Sequence, residues 1–348
     1  IMSDLRINNI TDRTGDSGPV IAGVSTVSST GVFTVPVGPT EYRGGRGRAV
    51  FAGGYSASPV NYSDAMDYTE ISTTGNTSDF GNLSVKRYNI AGLGDATRGV
   101  FAGGQGAPGT LYNTIDYVTI SSQGGASDFG DLSIITTIQS LAAASDSTRG
   151  LFMGGQNPSF TAGNNFTEQN IIQYITIATT GDSTDFGDLT HCTQAPAGCS
   201  SPTRALCAGG DNSAKINDID SITIQTLGSA ADFGSLSNDV LFPAGLSSTT
   251  RGVFAGGTTP TKINTIEYVT IASAGNATDF GDLTAGRYGA AGSSNKTRGL
   301  FGGGGTPTYV NTIDYITIAS AGNATDYGDL TEVRATLGAC SDTHGGLG

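Results

Sequence analysis

The chain has 348 residues, a net charge of −13 and a hydrophobic share of 37%. That charge argues against a general attraction to nucleic acid or to an anionic membrane surface, and no run approaches the roughly 18 apolar residues of a membrane span. Glycine contributes 53 residues, about double the usual share of roughly 7%, but at fixed places, so it reads as turns rather than disorder.

Residues 1–47 stand outside the pattern that follows. IMSDLRINNI has no apolar h-region, so no signal peptide is expected. LRINNITDR, GPVIAG and GVFTVPVG predict short strands, the last confined to a sheet edge by Pro36 and Pro39. The segment is too small for a substantial core and reads as an attachment piece. The RGGRGR run resembles an RNA-binding patch, but one short run in an acidic chain reads as a linker.

From Arg48 one unit recurs six times. Its cleanest copy is TRGVFAGG, INTIEYVTI and GNATDFGDLT, between Thr250 and Thr284. The double glycines fall at 53–54, 103–104, 154–155, 209–210, 256–257 and 303–304, a spacing of 47 to 55 residues. Each copy predicts four strands. RGVFAGG is a second strand, closed by glycines that supply the positive φ of the next turn. NTIDYVTI is a third strand, β-branched and aromatic on both faces, as expected between two neighbours. GNATDFGDL turns into a short outer strand. Ala-, Gly- and Ser-rich stretches such as Gly286–Thr297 predict the innermost strand of the next blade, crowded round a narrow channel. Residues 334–342 read as one more innermost strand with no unit after it, so six blades are expected, with this strand completing the first.

The double glycines, the third-strand tyrosines Tyr68, Tyr117, Tyr174, Tyr268 and Tyr315, and the arginines Arg87, Arg287 and Arg334 resemble the kelch repeat of galactose-oxidase-like propellers across residues 48–348. The family's outer-strand Trp is replaced by Phe80, Phe129, Phe186, Phe233, Phe280 and Tyr327. The resemblance implies an all-β, six-bladed kelch-like β-propeller, residues 48–348, behind an N-terminal attachment segment. The near-identity of the copies and the leader SDLRINNITDRTGDSGPVIAG also resemble propeller-bearing structural proteins of tailed phages, marine ones especially.

Candidate functional residues follow. An Arg opens each second strand (Arg48, Arg98, Arg149, Arg204, Arg251, Arg298) and an Asp precedes each outer-strand aromatic (Asp79, Asp128, Asp185, Asp232, Asp279, Asp326). The two sets predict a structural ring of ion pairs or Arg-to-backbone bonds. DFG, present five times with DYG once, lacks the motifs that accompany it in a kinase. Asn276, Thr278, Asp279 and Asp282 could offer oxygen ligands to calcium, and Asx-turns account for them equally; no metal and no cofactor is expected. Cys207 replaces the Phe of the second strand and reads as core; no disulfide is indicated among Cys192, Cys199, Cys207 and Cys340. His191 and His344 are too few for a copper oxidase, and no hydrolase motif is present, so no enzyme is expected. Loops after the double glycines differ in length and carry Tyr55, Tyr112, Phe160, Asn164, Asn165, Phe166 and Tyr309. Exposed aromatics beside Asn suit stacking on a sugar or docking a protein. These residues, with Gln156–Asn170 most prominent, are the expected contact face. The function expected is that of a non-enzymatic virion structural protein, a tail fibre, tail or head-decoration component. Such a protein would lie in several copies on the virion surface, joined to other virion proteins through residues 1–47 and facing a host glycan or protein. A cellular carbohydrate-binding or scaffolding propeller is the alternative, and a glycan-active enzyme a third.

Overall fold

The computed structural model describes residues 47–57, 60–107, 109–134, 138–158 and 166–347. The chain partitions between Arg43 and Gly44, and the strands expected in residues 1–46 lie outside the described residues, as does the attachment role given to them.

Each repeat folds into one antiparallel sheet, and six such sheets form a six-bladed propeller. In blade 5 the strands run from Ala244–Ser247, innermost, through Arg251–Ala255 and Thr265–Thr270 to Thr278–Asp282. Blade 1 takes three strands from the first repeat, Arg48–Ala52, Ala65–Glu70 and Ser78–Asn82, and its innermost, Gly338–Ser341, from the far end of the chain. Val50 there pairs with Cys340 and Phe51 with Ala339, so the ring closes on the expected strand. Innermost strands touch in the closed order of the six blades.

The core is six cores, one between each pair of neighbours. Val253, Ile266 and Phe280 of blade 5 meet Phe301, Ile316 and Ile318 of blade 6, all nearly excluded from water. This explains why second and third strands lack polar–apolar alternation: both faces of a blade are buried. Cys207 fills the core between blades 3 and 4, and burial pushes its thiol well above the usual range.

Closed rings of hydrogen bonds join blade to blade. Each second-strand Arg crosses to the next blade and donates Nη1–H to a carbonyl: Arg48 to Ile120, Arg98 to Ile177, Arg149 to Ile224, Arg204 to Ile271, Arg251 to Ile318 and Arg298 to Ile71, at 2.8–3.1 Å. In five blades the guanidinium also lies 4.5–4.7 Å over its own third-strand Tyr; in blade 4, where Ser221 replaces that Tyr, Arg204 lies 6.0 Å from Phe233. The aspartates expected to complete this ring do not join it. Asp79, Asp128, Asp185, Asp232, Asp279 and Asp326 are exposed. The inward carboxylate belongs to the third strand. Arg87 pairs with Asp116 at 3.0 Å, Arg287 with Asp314 at 2.6 Å and Arg334 with Asp67 at 2.6 Å, all buried.

Two glycine positions show why the repeat is so uniform. Gly256 has φ +64°, and a Cβ there would stand 2.5 Å from the Arg287 carbonyl. Gly281, the glycine of DFG, has φ +144°, and its Cβ would meet the Gly322 backbone of blade 6 at 2.6 Å. At that same contact Gly322 N–H donates to the Phe280 carbonyl at 2.7 Å. The DFG turn is thus an outer clamp between blades.

At one end of the axis Asn89, Ser140, Ala195, Phe242, Gly289 and Thr336 all have φ between +53° and +63°. Each donates its N–H to the carbonyl of the one before, at 2.7–3.1 Å, and Asn89 donates to Thr336, so the belt is circular. Such backbone is strained for non-Gly residues, by roughly 1–3 kcal/mol each, and persists only where surroundings over-determine it. At the other end Ser145, Ser200, Ser247, Ser294 and Ser341 each donate Oγ–H to the preceding blade's carbonyl at 2.6–2.7 Å. Blade 2 has Gly94 at this position. The segment beyond the closing strand turns in beside it: His344 Nε2 lies 2.8 Å from the Gly94 carbonyl, and Gly346 N–H donates to Nδ1 at 3.1 Å.

Candidate recognition face

The two ends of the propeller differ in kind. One carries the near-identical DFG turns. The other carries the double-glycine loops and the connections between blades. Each loop makes a short antiparallel bridge to a connection: Tyr55 with Ala335, Tyr88 with Gln105, Gln139 with Gln156, Gln194 with Asp211, Leu241 with Thr258 and Tyr288 with Gly305. Bridging positions on blades 3 and 4 are three glutamines and Asp211, blade 5 has Leu241 and Thr258, and blades 6, 1 and 2 each hold one tyrosine.

Tyr55 is the hub of that aromatic sector. Its ring lies 5.6 Å from Tyr62, 5.3 Å from Tyr88 and 5.6 Å from Tyr309, the last edge-on. Tilted and edge-on pairs are the favoured geometry for rings with negative faces. The rings remain partly exposed. Tyr88 O–H donates to Gln105 Oε1, and partial burial raises the pKa of Tyr88 and Tyr309 above the usual phenol range. Phe242 and Tyr288, 6.1 Å apart, continue the arc towards blade 5.

Three loops share one tight form, Asp211–Lys215, Thr258–Lys262 and Gly305–Tyr309, each closed by a bridge between its ends. The first two tether the next loop: Lys215 Nζ donates to the Thr259 carbonyl and Lys262 Nζ to that of Thr306. In the third copy Tyr309 takes the Lys position and meets Tyr55 instead. Between these loops opens a cleft of about 390 Å³, walled by Lys262, Tyr288, Thr306, Tyr309, Ser56 and Val333.

Of the residues expected on this face, Tyr55 and Tyr309 come together. Tyr112 lies apart, its ring close against Gly106 in the blade 2 loop. Phe160, Asn164 and Asn165 lie outside the described residues; Phe166 opens the long third strand of blade 3, Phe166–Thr176, opposite Pro158. Sequence reasoning missed Tyr62, Tyr88, Tyr288 and Lys262. Tyr88 and Tyr288 each follow an arginine of the kelch-like pattern, Arg87 and Arg287, and that shared RY step was the available signal.

Asn276, considered for calcium, accepts from Ser235 N–H at 3.1 Å and so bridges blades 4 and 5. Among the described residues no three His, Cys, Asp or Glu side chains group as a metal site would require. His191 is exposed, 3.7 Å from Asp218, while His344 stands inside the far end of the channel. Among the described residues the cleft lining contains neither carboxylate nor imidazole. No protein-family model matches the chain, and no curated protein is similar to it at a significant level.

Proposed function

We propose that the chain is a non-enzymatic recognition module, a kelch-like propeller belonging to the structural proteins of a tailed-phage particle. In this reading residues 1–47 attach it to the particle in several copies, and the loop face meets a host-surface ligand. The observation that carries the reading is the asymmetry of the two ends. One is built from the same turn six times, each clamped to its neighbour. The other gathers partly exposed aromatics, Phe242 and five tyrosines, from blades 1, 2, 5 and 6 on loops free of that duty. Function on a rigid scaffold concentrates in such loops. The absence of a carboxylate pair in the cleft favours binding over glycoside hydrolysis, which uses two carboxylates. The virion assignment rests on the leader and the near-identity of the repeats.

The test has two parts. Antibody against the propeller should label purified particles, and the recombinant full chain should adhere to host cells and block particle attachment. Presence in uninfected cells with no labelling of particles would overturn the virion assignment in favour of a cellular carbohydrate-binding propeller.

A further inference from the structure

We propose that the cleft between the loops of blades 5, 6 and 1 is a binding site for an uncharged saccharide. The proposal rests on the recognition reading above and supplies its ligand class. The cleft, about 390 Å³, is at the small end of the roughly 300–1,000 Å³ typical of ligand pockets. Its wall mixes two tyrosine rings, the hydroxyls of Ser56, Thr306 and Thr308, the Lys262 ammonium and two apolar side chains, Pro307 and Val333, the latter 47% exposed. A pyranose ring presents the matching surfaces: a C–H face that packs on an aromatic ring, and an edge of hydroxyls that both donate and accept.

The cleft is built by one substitution in the repeat. Where blade 6 has Gly305, the other blades have Tyr55, Gln105, Gln156, Asp211 and Thr258. A Cβ on Gly305 would stand 2.5 Å from Tyr288 Cε1, so the missing side chain is what lets the Tyr288 ring lie against the loop backbone. Lys262 holds the ring from another side, its Nζ 5.5 Å from the ring centroid, and the same Nζ ties the blade 5 loop to the Thr306 carbonyl. Both walls are therefore fixed before a ligand arrives, which lowers the entropy lost on binding.

Other ligand classes fit less well. A chain of net charge −13 repels nucleic acid. A carboxylated sugar meets the same net negative charge, and the one cation on the wall, Lys262, is already committed to the Thr306 carbonyl. A lipid tail would strip water from this hydroxyl-bearing wall and return no hydrogen bond. A stable protein partner needs about 800 Å² on each side, far more than this cleft, and is an outcome of the test.

The experiment uses the full chain and a panel of methyl glycosides of glucose, galactose, mannose and N-acetylglucosamine with their di- and trisaccharides. Saturation-transfer NMR reads ligand contact. Isothermal titration calorimetry reads the affinity. At least one uncharged saccharide should bind and displace wild-type chain from host cells. Gly305→Gln, which pushes the Tyr288 ring aside, and Thr308→Trp, which fills the cleft from an exposed position, should each weaken binding by about tenfold or more with the melting temperature unchanged. If wild type adheres to cells while no panel member binds, or if both variants adhere and bind as wild type does, the saccharide site is overturned and the recognition reading stands. If wild type adheres to no host surface, the recognition reading falls, and saccharide binding in solution still supports the site.

Discussion

Arg287 has almost no surface in contact with water, yet it remains a cation because Asp314 lies 2.6 Å away and the Thr312 and Phe301 carbonyls accept from its guanidinium. Burial lowers its pKa and Asp314 opposes that shift. Removing one partner of such a pair is far worse than removing both. Arg287→Met should therefore destabilise by about 3–5 kcal/mol, and the double change Arg287→Met with Asp314→Leu by less than the single one. Asp279→Ala, at an exposed carboxylate, should leave the thermal midpoint unchanged within error. Denaturant unfolding of the three variants checks the order; an Asp279→Ala loss as large as that of Arg287→Met would contradict it. Blade 3 lacks the pair altogether, with Ile138 and Gln173 in the two places, and Gln173 Oε1 accepts from Ile134 N–H instead. The sequence showed an acid before every outer-strand aromatic and, in every repeat but the third, an acid at one position of the third strand, but not which one faces inward. Alternation settles that question when one sheet face is wet, and here both are buried. A register shift between Ile266 and Glu267 further separates the two strands' patterns.

Strands and turns were far more legible than individual partners. A glycine doublet, an aromatic third strand and a DFG turn, repeated six times, fix four strands and their order, because each signal is local and each copy checks the others. The elements that escaped are the unrepeated ones. The third strand of blade 3 begins early, at Phe166, and its outer strand runs on to Thr193, with Gln156–Pro158 as an added edge. Length beyond the repeat has no second copy to reveal it. The DFG glycine shows what the repetition protects. A Cβ at position 281 would meet backbone atoms, which cannot rotate away, and would impose a φ of +144° on an L-residue. Gly281→Ala should lower stability by about 1–3 kcal/mol through strain. Amide hydrogen exchange should show faster exchange at Gly322, whose N–H crosses to Phe280, while blades 2 and 3 stay protected. Unchanged exchange there would remove the outer clamp from the account of how blades hold together.

A ring must be shut, and the whole molecule concentrates its devices at the junction of blades 6 and 1. The closing strand pairs with Arg48–Ala52. Arg334 and Thr331 both reach Asp67 across the seam. Tyr327, the one outer-strand aromatic with a hydroxyl, uses it on the Glu70 and Thr73 carbonyls of blade 1 at 2.7 and 2.5 Å. Just past the closing strand, His344 binds the carbonyl of Gly94, the one position of the serine ring without a hydroxyl. Its bonds define the neutral tautomer: Nε2–H donates to Gly94, and Nδ1 accepts from Gly346. Protonation at Nδ1 would set two donors face to face. Burial accordingly holds the pKa of His344 below its ordinary 6.5, while the Gly94 carbonyl, Asp95 and Asp146 pull weakly the other way. The sign follows. As pH falls past about 6.5 the unfolded chain takes up a proton that the folded chain refuses, so stability drops until the folded pKa is passed and is level below it. The contribution is complete above about pH 6.5 and absent at acid pH. Asp131 and Asp220 work in the opposite direction, since burial raises both, and a single melting curve mixes the two effects. Comparison with His344→Gln separates them. Between pH 7.5 and 5 wild type should lose more stability than the variant, and the imidazole resonances of His344 should titrate below the ordinary 6.5. Parallel curves for the two proteins would show that His344 closes the channel without sensing pH.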